Sequence, residues 1–270
     1  MTSALRWGRA SDPGRIRQQN EDSVLVEDNL FAVADGMGGH KAGEVASALT
    51  VELLKRRLGD TTSSLDDVLS AVVDANGEIF TAATANIDQQ GMGTTLTGLF
   101  VVTAANADGD TLADGSTDAA PRQRFALINV GDSRTYLLRH DRLRRVTMDH
   151  NYVQELVNTG LITDDEARTH PRRNIITRAL GIDPTVRVDA WTLPIVRGDR
   201  FVLCSDGLSD EIHDSQIHQI VSTITDPQLA ADELVAAANR SGGRDNISVV
   251  VVDSWSWRNA WASPSEGNVG

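Results

Sequence analysis

Two short apolar runs near the start of the chain, "SVLVE" and "LFAVA", flank Asp28-Asn29. That pattern predicts a hairpin across 23–34. The spacing then lengthens: Val45, Leu49, Leu53, Leu54 and Leu58 recur at helical intervals over 43–58. A second helix is predicted over 65–87, opened by Ser64 with Asp67 three residues on, close to a capping box. Strand patterns return at 94–103, 124–130, 134–139 and 142–147, the last two turning at His140-Asp141. Helical signals occupy 151–159 and 164–169, and strands recur at 186–193 and 200–205. Asp214 and Asp226-Pro227 each mark a helix start. "ISVVVVD", 247–253, predicts the last strand.

Strands come in clusters and do not alternate strictly with helices. That order predicts an α+β fold with antiparallel sheets, not a doubly wound parallel sheet. Residues 104–122 are rich in Ala, Asp and Gly and read as a flexible inserted loop. They fail as a calcium loop, because Ala119 falls where the twelfth-position Glu is needed if Asp108 is first. Residues 254–270 read as a tail, with Trp255 and Trp257 expected to pack on the domain and Trp261 beyond them. No repeat of solenoid length is visible.

Composition narrows the partners. A net charge of −13, from 25 basic and 38 acidic residues, disfavours nucleic acid and anionic lipid. It leaves a phosphorylated substrate open, because a bound cation reverses the local sign. The single cysteine permits no internal disulfide and fits a reducing cytoplasm. No apolar run approaches the roughly 18 residues of a membrane span, and the first residues lack the apolar core of a signal peptide. Without export, the glycosylation patterns at Asn239 and Asn246 are chance matches.

The stretch "VADGMGGHKAGE", 33–44, is the densest in glycine. It is not a P-loop, since His40 separates Gly39 from Lys41 and Ala42 replaces the hydroxyl residue. A dinucleotide fingerprint starting at Gly36 fails at Lys41. Taken alone, Asp35-Gly36 after an apolar run reads as a turn. The pattern recurs, however. "ALINVG" ends at Asp132, "FVLCS" ends at Asp206-Gly207, and Asp245 sits just before "ISVVVV". Each is explicable as a turn residue; gathered at one sheet edge, they would repel unless a cation lay among them. All-oxygen ligation selects Mg(II) or Mn(II) over zinc, and no Cys/His ligand spacing competes. Upstream, "SDPGRIRQQNEDS" offers Arg17, Glu21 and Asp22. Arginine suits bidentate phosphate binding, and equally a surface ion pair.

These segments together resemble the metal-dependent protein phosphatases of the 2C type, in their bacterial form. "DPGRIRQQNEDS", "VADGMGGHKAGE", "GMGTTLT", "NVGDSRTYLLR", "TMDHN", "HPRRNIITRALG", "LCSDGLSDEI" and "GGRDNISVVVV" match the family's motifs in order, from about residue 7 to 253. The resemblance implies two antiparallel sheets face to face with helices outside, an αββα sandwich, and a catalytic domain over 1–253. It implies two Mn(II) or Mg(II) ions, with a third, weaker one. Asp35 would bridge the first two, the Gly36 carbonyl would join the second, and Asp206 and Asp245 would hold the first. Glu21 and Asp22 would act through water. Asp132 would hold the third. Arg17 and Asp35 are then the catalytic pair, Arg17 binding the substrate phosphate.

The resemblance further implies a flap over about 154–175 and removal of phosphate from phosphoserine and phosphothreonine by a metal-bridging hydroxide attacking in line. Its partners would be phosphoproteins and a Ser/Thr kinase, in cytoplasmic signalling, with the enzyme a monomer. No phosphoenzyme is expected: Cys204 reads as a buried strand residue, and six positions on lies Asp210, not the Arg of a cysteine-dependent phosphatase. Animal relatives carry a histidine after the Asp-Gly pair, where this chain has Met37. The proton donor therefore lies open between His40 and metal-bound water. His150 and His170 read as supports of turns or of the flap base. Asp210 and Glu211 read as outer groups or helix-start acids, and Arg172 and Arg173 as peptide contacts or solvated surface. Two rival readings are a phosphatase-like regulatory binding module and a partner-switching phosphatase of a small antagonist protein.

Overall fold

The computed structural model describes residues 4–39, 42–59, 63–104 and 122–255. His40, Lys41, nearly all of the 104–122 insertion and the tail beyond 255 lie outside the described residues. Within them, β2 (Asp22–Glu27), β3 (Leu30–Met37), β5 (Leu96–Ala104), β6 (Arg122–Val130) and β9 (Asp189–Pro194) pair antiparallel in that order. The short β4 (Gly93–Thr94) joins the end of β3. The second sheet runs β1 (Ala4–Asp12), β11 (Ile247–Trp255), β10 (Arg200–Cys204), β7 (Arg134–Arg139) and β8 (Arg142–Arg145), again antiparallel throughout.

The period-two pattern of the strands makes three apolar layers. Phe31, Val33, Leu99, Phe125 and Leu127 of one sheet meet Phe201, Leu203, Val250 and Val252 of the other. The alternate residues Ala32, Ala34, Phe100 and Ile128 face outward, onto helices α1 (Ala42–Leu58) and α2 (Leu65–Ala85). On the far side, Val202, Cys204, Val249 and Val251 face α5 (Asp206–Ser209), α6 (Asp214–Thr223) and α7 (Pro227–Ser241). The result is the expected helix–sheet–sheet–helix sandwich. Truncating a central ring such as Phe201 would cost about 3–5 kcal/mol.

Local signals set most boundaries. Ser64 and Asp67 form the capping box of α2, and Asp226 caps α7 with Pro227 in its first turn. His140 and Asp141 both take positive φ, 50° and 57°, in the tight β7–β8 turn.

Four expectations need correction. β1 was not predicted: Gly8 and two arginines blur its alternation, yet Gly8 is where α7 packs, since a Cβ there would lie 2.2 Å from the Gln228 backbone. β11 continues to Trp255, two residues into the expected tail. Asp206 opens the unpredicted single turn α5. Asp35-Gly36 is not a turn at all. Both lie inside β3, with Asp35 opposite Asp22 and Gly36 opposite Thr94.

Candidate active site

The inter-sheet core changes from apolar to polar toward one edge. Thr97 and Thr135 hydroxyls meet across the sheets at 2.7 Å, and one step further Thr95 and Ser133 meet at 2.7 Å. Thr95 Oγ1 also accepts the Asp35 N–H at 3.1 Å, while the Thr94 hydroxyl and the Thr95 N–H donate to the Asp35 carbonyl at 2.8 and 2.9 Å. These bonds fix the Asp35 backbone and tie it to the turn carrying Asp132. Asp22 stands directly across the β2–β3 ladder from Asp35. Its Oδ2 accepts the Ser205 hydroxyl at 2.8 Å, which joins it to the residue before Asp206.

Two glycines permit the convergence through close approach, not through special dihedrals. A Cβ on Gly36 would lie 2.2 Å from the Gly43 carbonyl at the start of α1 and 2.5 Å from that of Glu21. A Cβ on Gly207 would lie 2.0 Å from the Asn246 carbonyl. Asn246 is a hub that sequence reasoning passed over. Its Oδ1 accepts the Glu21 N–H at 2.8 Å, and its Nδ2 donates to the carbonyls of Pro13 and Gln19 at 3.0 and 2.9 Å. It thereby holds the Arg17–Glu21 segment beside Asp245. Its signal, like that of Ser205, is a small polar residue directly beside a strand-end aspartate; Thr94 and Thr95 carry no such signal in the sequence.

Glu21, Asp22, Asp35, Asp132, Asp206 and Asp245 thus line one edge of the sandwich. Burial, and then Asp22, Asp206, Asp132 and Asp245 in turn, hold the Asp35 carboxyl well above the usual range. Burial, and then Asp132, Asp210 and Asp245, do the same to Asp206. Burial and the Asp149 charge push Asp132 up to about 7. Among the described residues, no three of these side chains are disposed to hold one ion between them; the acids ring a region, not a point. The donor set nevertheless fits a hard divalent cation. It is all oxygen, its members raise one another's affinity for positive charge, and Glu21 Oε1 and Asp22 Oδ1 are buried with no hydrogen-bond partner in the protein.

Arg17 Nη2 donates to Asp245 Oδ2 at 2.7 Å. Beyond Asp132 and Asp206 opens a polar cavity of about 460 Å³, closed on its other side by α3 (Tyr152–Asn158) and α4 (Asp164–Thr169). These two helices occupy the stretch expected as a flap. Arg168 donates to the Ser209 carbonyl at 3.2 Å and Arg173 pairs with Asp210 at 3.4 Å, tying that stretch to α5. Asn151, which caps α3, donates to Asp132 at 3.4 Å.

Glu211 opens no helix, lying between α5 and α6; its Oε1 accepts the Arg244 backbone N–H and Nε–H at 2.9 and 2.8 Å. Asp210 closes α5. Arg172 lies over the Tyr152 ring, and His170 accepts the Arg172 N–H at 3.1 Å. Cys204 is buried in β10, and burial pushes its thiol up to about 12, which leaves it without thiolate character. No described helix is long and apolar enough to cross a membrane.

Comparison with known proteins meets this geometry from outside. Residues 17–237 match the family described as Protein phosphatase 2C. The chain is 37% identical over 254 residues to "Serine/threonine phosphatase stp" of Listeria innocua, covering 90% of this chain and 93% of that one. It is 40% identical over 262 residues to "Serine/threonine protein phosphatase PstP" of Mycobacterium tuberculosis, covering 94% of this chain and 46% of the longer relative. The crystal structure of the catalytic domain of PstP in complex with two manganese ions superposes with a TM-score of 0.79 at 38% identity, covering 94% of this chain and all of that one.

Proposed function

Because this chain belongs to the protein phosphatase 2C family, we propose a residue-level account of its reaction, the hydrolysis of phosphoserine and phosphothreonine in proteins. Asp35, Asp206 and Asp245 would hold two divalent ions with the Gly36 carbonyl, Glu21 and Asp22 would act through water, and Asp132 would hold a third ion. When bound, these ions activate water for in-line attack on phosphorus and neutralise charge on the phosphoryl oxygens. Manganese is favoured by the metal in the PstP crystal structure. The observation that carries the assignment is the gathering of six acids at one sheet edge, two of them with buried, unpartnered oxygens.

The protein's own residues supply position. The Thr94 and Thr95 bonds hold the Asp35 backbone in register. Asn246 fixes the segment bearing Arg17, whose planar fork orients the phosphate. The polar cavity beside Asp132 and Asp206 receives the peptide around the phosphorylated residue. Substrates of this kind come from a Ser/Thr kinase, and the setting we propose is cytoplasmic signalling, with the phosphatase a monomer. A purely regulatory binding module is not favoured, since the whole acidic set and Arg17 are present.

The test is release of phosphate from phosphoserine and phosphothreonine peptides by the purified chain, with manganese and with EDTA. Manganese-dependent release that survives Cys204→Ala is expected. A folded chain inert at saturating manganese would overturn the reading.

A further inference from the structure

His150 is buried and engaged on both sides of its ring. Nδ1 accepts the Gly131 N–H at 3.0 Å, and the His150 N–H donates back to the Gly131 carbonyl at 2.9 Å. Gly131 directly precedes Asp132. It holds φ at +99°, and a Cβ there would lie 2.6 Å from Thr95, so this turn has little room to shift. An Nδ1 that accepts an amide hydrogen carries none of its own, so the neutral ring bears its proton on Nε2. Nε2 lies 3.2 Å from Asp189 Oδ2, which accepts it. Arg178 Nη1 sits 2.9 Å from the same nitrogen and donates to Asp189 Oδ1 at 2.7 Å. Burial and then the Arg178 charge lower the basicity of the ring and keep this neutral form.

The same residue stands at the neck of the α3–α4 stretch. Asn151 bridges to Ile176, Tyr152 N–H donates to the Ile175 carbonyl at 2.8 Å, and Thr177 N–H donates to the His150 carbonyl at 2.9 Å. Both helices are strung between the two sides of this neck. His150 therefore uses its carbonyl to close the neck, and its ring and N–H to clamp the turn that presents Asp132.

We propose that His150 is a positioning residue that joins the flap neck to the Asp132 turn, so that the cavity wall and the Asp132 carboxylate keep one fixed relation during catalysis. This rests on the reading of Asp132 as a metal ligand. The geometry gives the two ring nitrogens separate duties: Nδ1 holds Gly131, and Nε2 anchors the ring to β9 through Asp189.

Two variants separate those duties. His150→Asn retains an acceptor near the Nδ1 position, whereas His150→Gln retains a donor near Nε2 and loses the acceptor. The chain carrying His150→Gln should show kcat on a phosphothreonine peptide lowered about tenfold with KM nearly unchanged, and weaker manganese uptake by calorimetry. His150→Asn should stay within about threefold of the parent in both. Equal losses in the two variants, or a folded His150→Gln chain with normal kcat and manganese uptake, would overturn the proposal. A long-range proton–nitrogen NMR correlation on the unaltered protein decides the case even where His150→Gln fails to fold. Bare Nδ1 and protonated Nε2 support it, and the opposite tautomer defeats it. Neither the NMR spectrum nor calorimetry needs turnover, so an inert parent chain would count against the phosphatase reading and leave this proposal separately readable.

Discussion

Arg17 and Asp245 form an ion pair, with Nη2 2.7 Å from Oδ2. The residue proposed for phosphate and one proposed for metal are thus partners in this geometry. The pair is open to solvent, with side-chain exposures of 51% and 36%, so it adds only about 0–1 kcal/mol to stability. Its importance lies in competition: guanidinium and metal ion are both cations drawn to one carboxylate.

Arg17→Ala should therefore separate two readouts. Loss of the fork should lower kcat/KM on a phosphopeptide about 100-fold, measured at saturating manganese. Manganese affinity by calorimetry should be no weaker than in the parent, because a competing cation has left Asp245. Unchanged kcat/KM would remove Arg17 from the phosphate site.

Glycine substitutions should divide sharply by location. Gly36→Ala and Gly207→Ala each drive a methyl to within 2.2 and 2.0 Å of a backbone carbonyl. Each should lose about 1–3 kcal/mol in denaturant unfolding and shift the manganese requirement upward, since Asp35 and Asp206 are the adjoining residues. Gly77→Ala in α2 meets nothing within 4 Å and should stabilise by about 0.5–1 kcal/mol.

Arg200 offers a test of the scaffold away from the chemistry. Its guanidinium pairs with Asp253 at 2.6 and 2.8 Å and donates to the carbonyls of Val221 and Thr225 at 2.8 and 2.7 Å. Arg200→Met strands a buried carboxylate and should cost about 3–5 kcal/mol. Arg200→Met with Asp253→Leu should recover much of that loss, read from denaturant midpoints, with turnover of the folded fraction unchanged.

Most strands were legible because they carry short apolar runs, and the helix starts of α2 and α7 because Ser64, Asp67 and Asp226 cap them. Asp35, Asp132 and Asp206 stood out by their repeated place after such runs, and Asp245 by its place just before one. What the sequence hid has a common cause: it depends on contacts between distant segments. β1 is defined by pairing with β11 and by the Gly8 contact with α7, not by its own alternation. Asp35-Gly36 carries a turn's composition but is held in the ladder by Asp22 and Thr94. Asn246, read from the chain, is a chance glycosylation match; in space it binds Glu21, Pro13 and Gln19.

The metal-free protein should grow less stable as pH rises, contrary to the usual behaviour of carboxylates. Asp22 is raised to about 6 and Asp132 to about 7, from an unperturbed 3.8, by burial first, with Asp35 and Asp206 raised as well. A carboxyl whose folded pKa exceeds its unfolded value holds its proton more tightly when folded. The stability it contributes is full below about pH 4 and is lost as pH climbs through the folded value. Glu21 is raised too, by burial first. His150 acts in the opposite sense, its folded pKa lying below 6.5 through burial and Arg178, but one imidazole opposes five carboxyls. Asp189, Glu211, Asp67 and Glu166 are lowered and change stability only in more acid solution. Thermal melts of EDTA-treated protein should accordingly decline in midpoint between pH 5 and pH 8. Added manganese favours the ionised carboxylates, so it should raise the midpoint most at pH 8 and flatten or reverse the trend. A chelated protein whose midpoint climbed steadily over that range would mean that the acids at this edge do not crowd one another, and the metal assignment would lose its electrostatic basis.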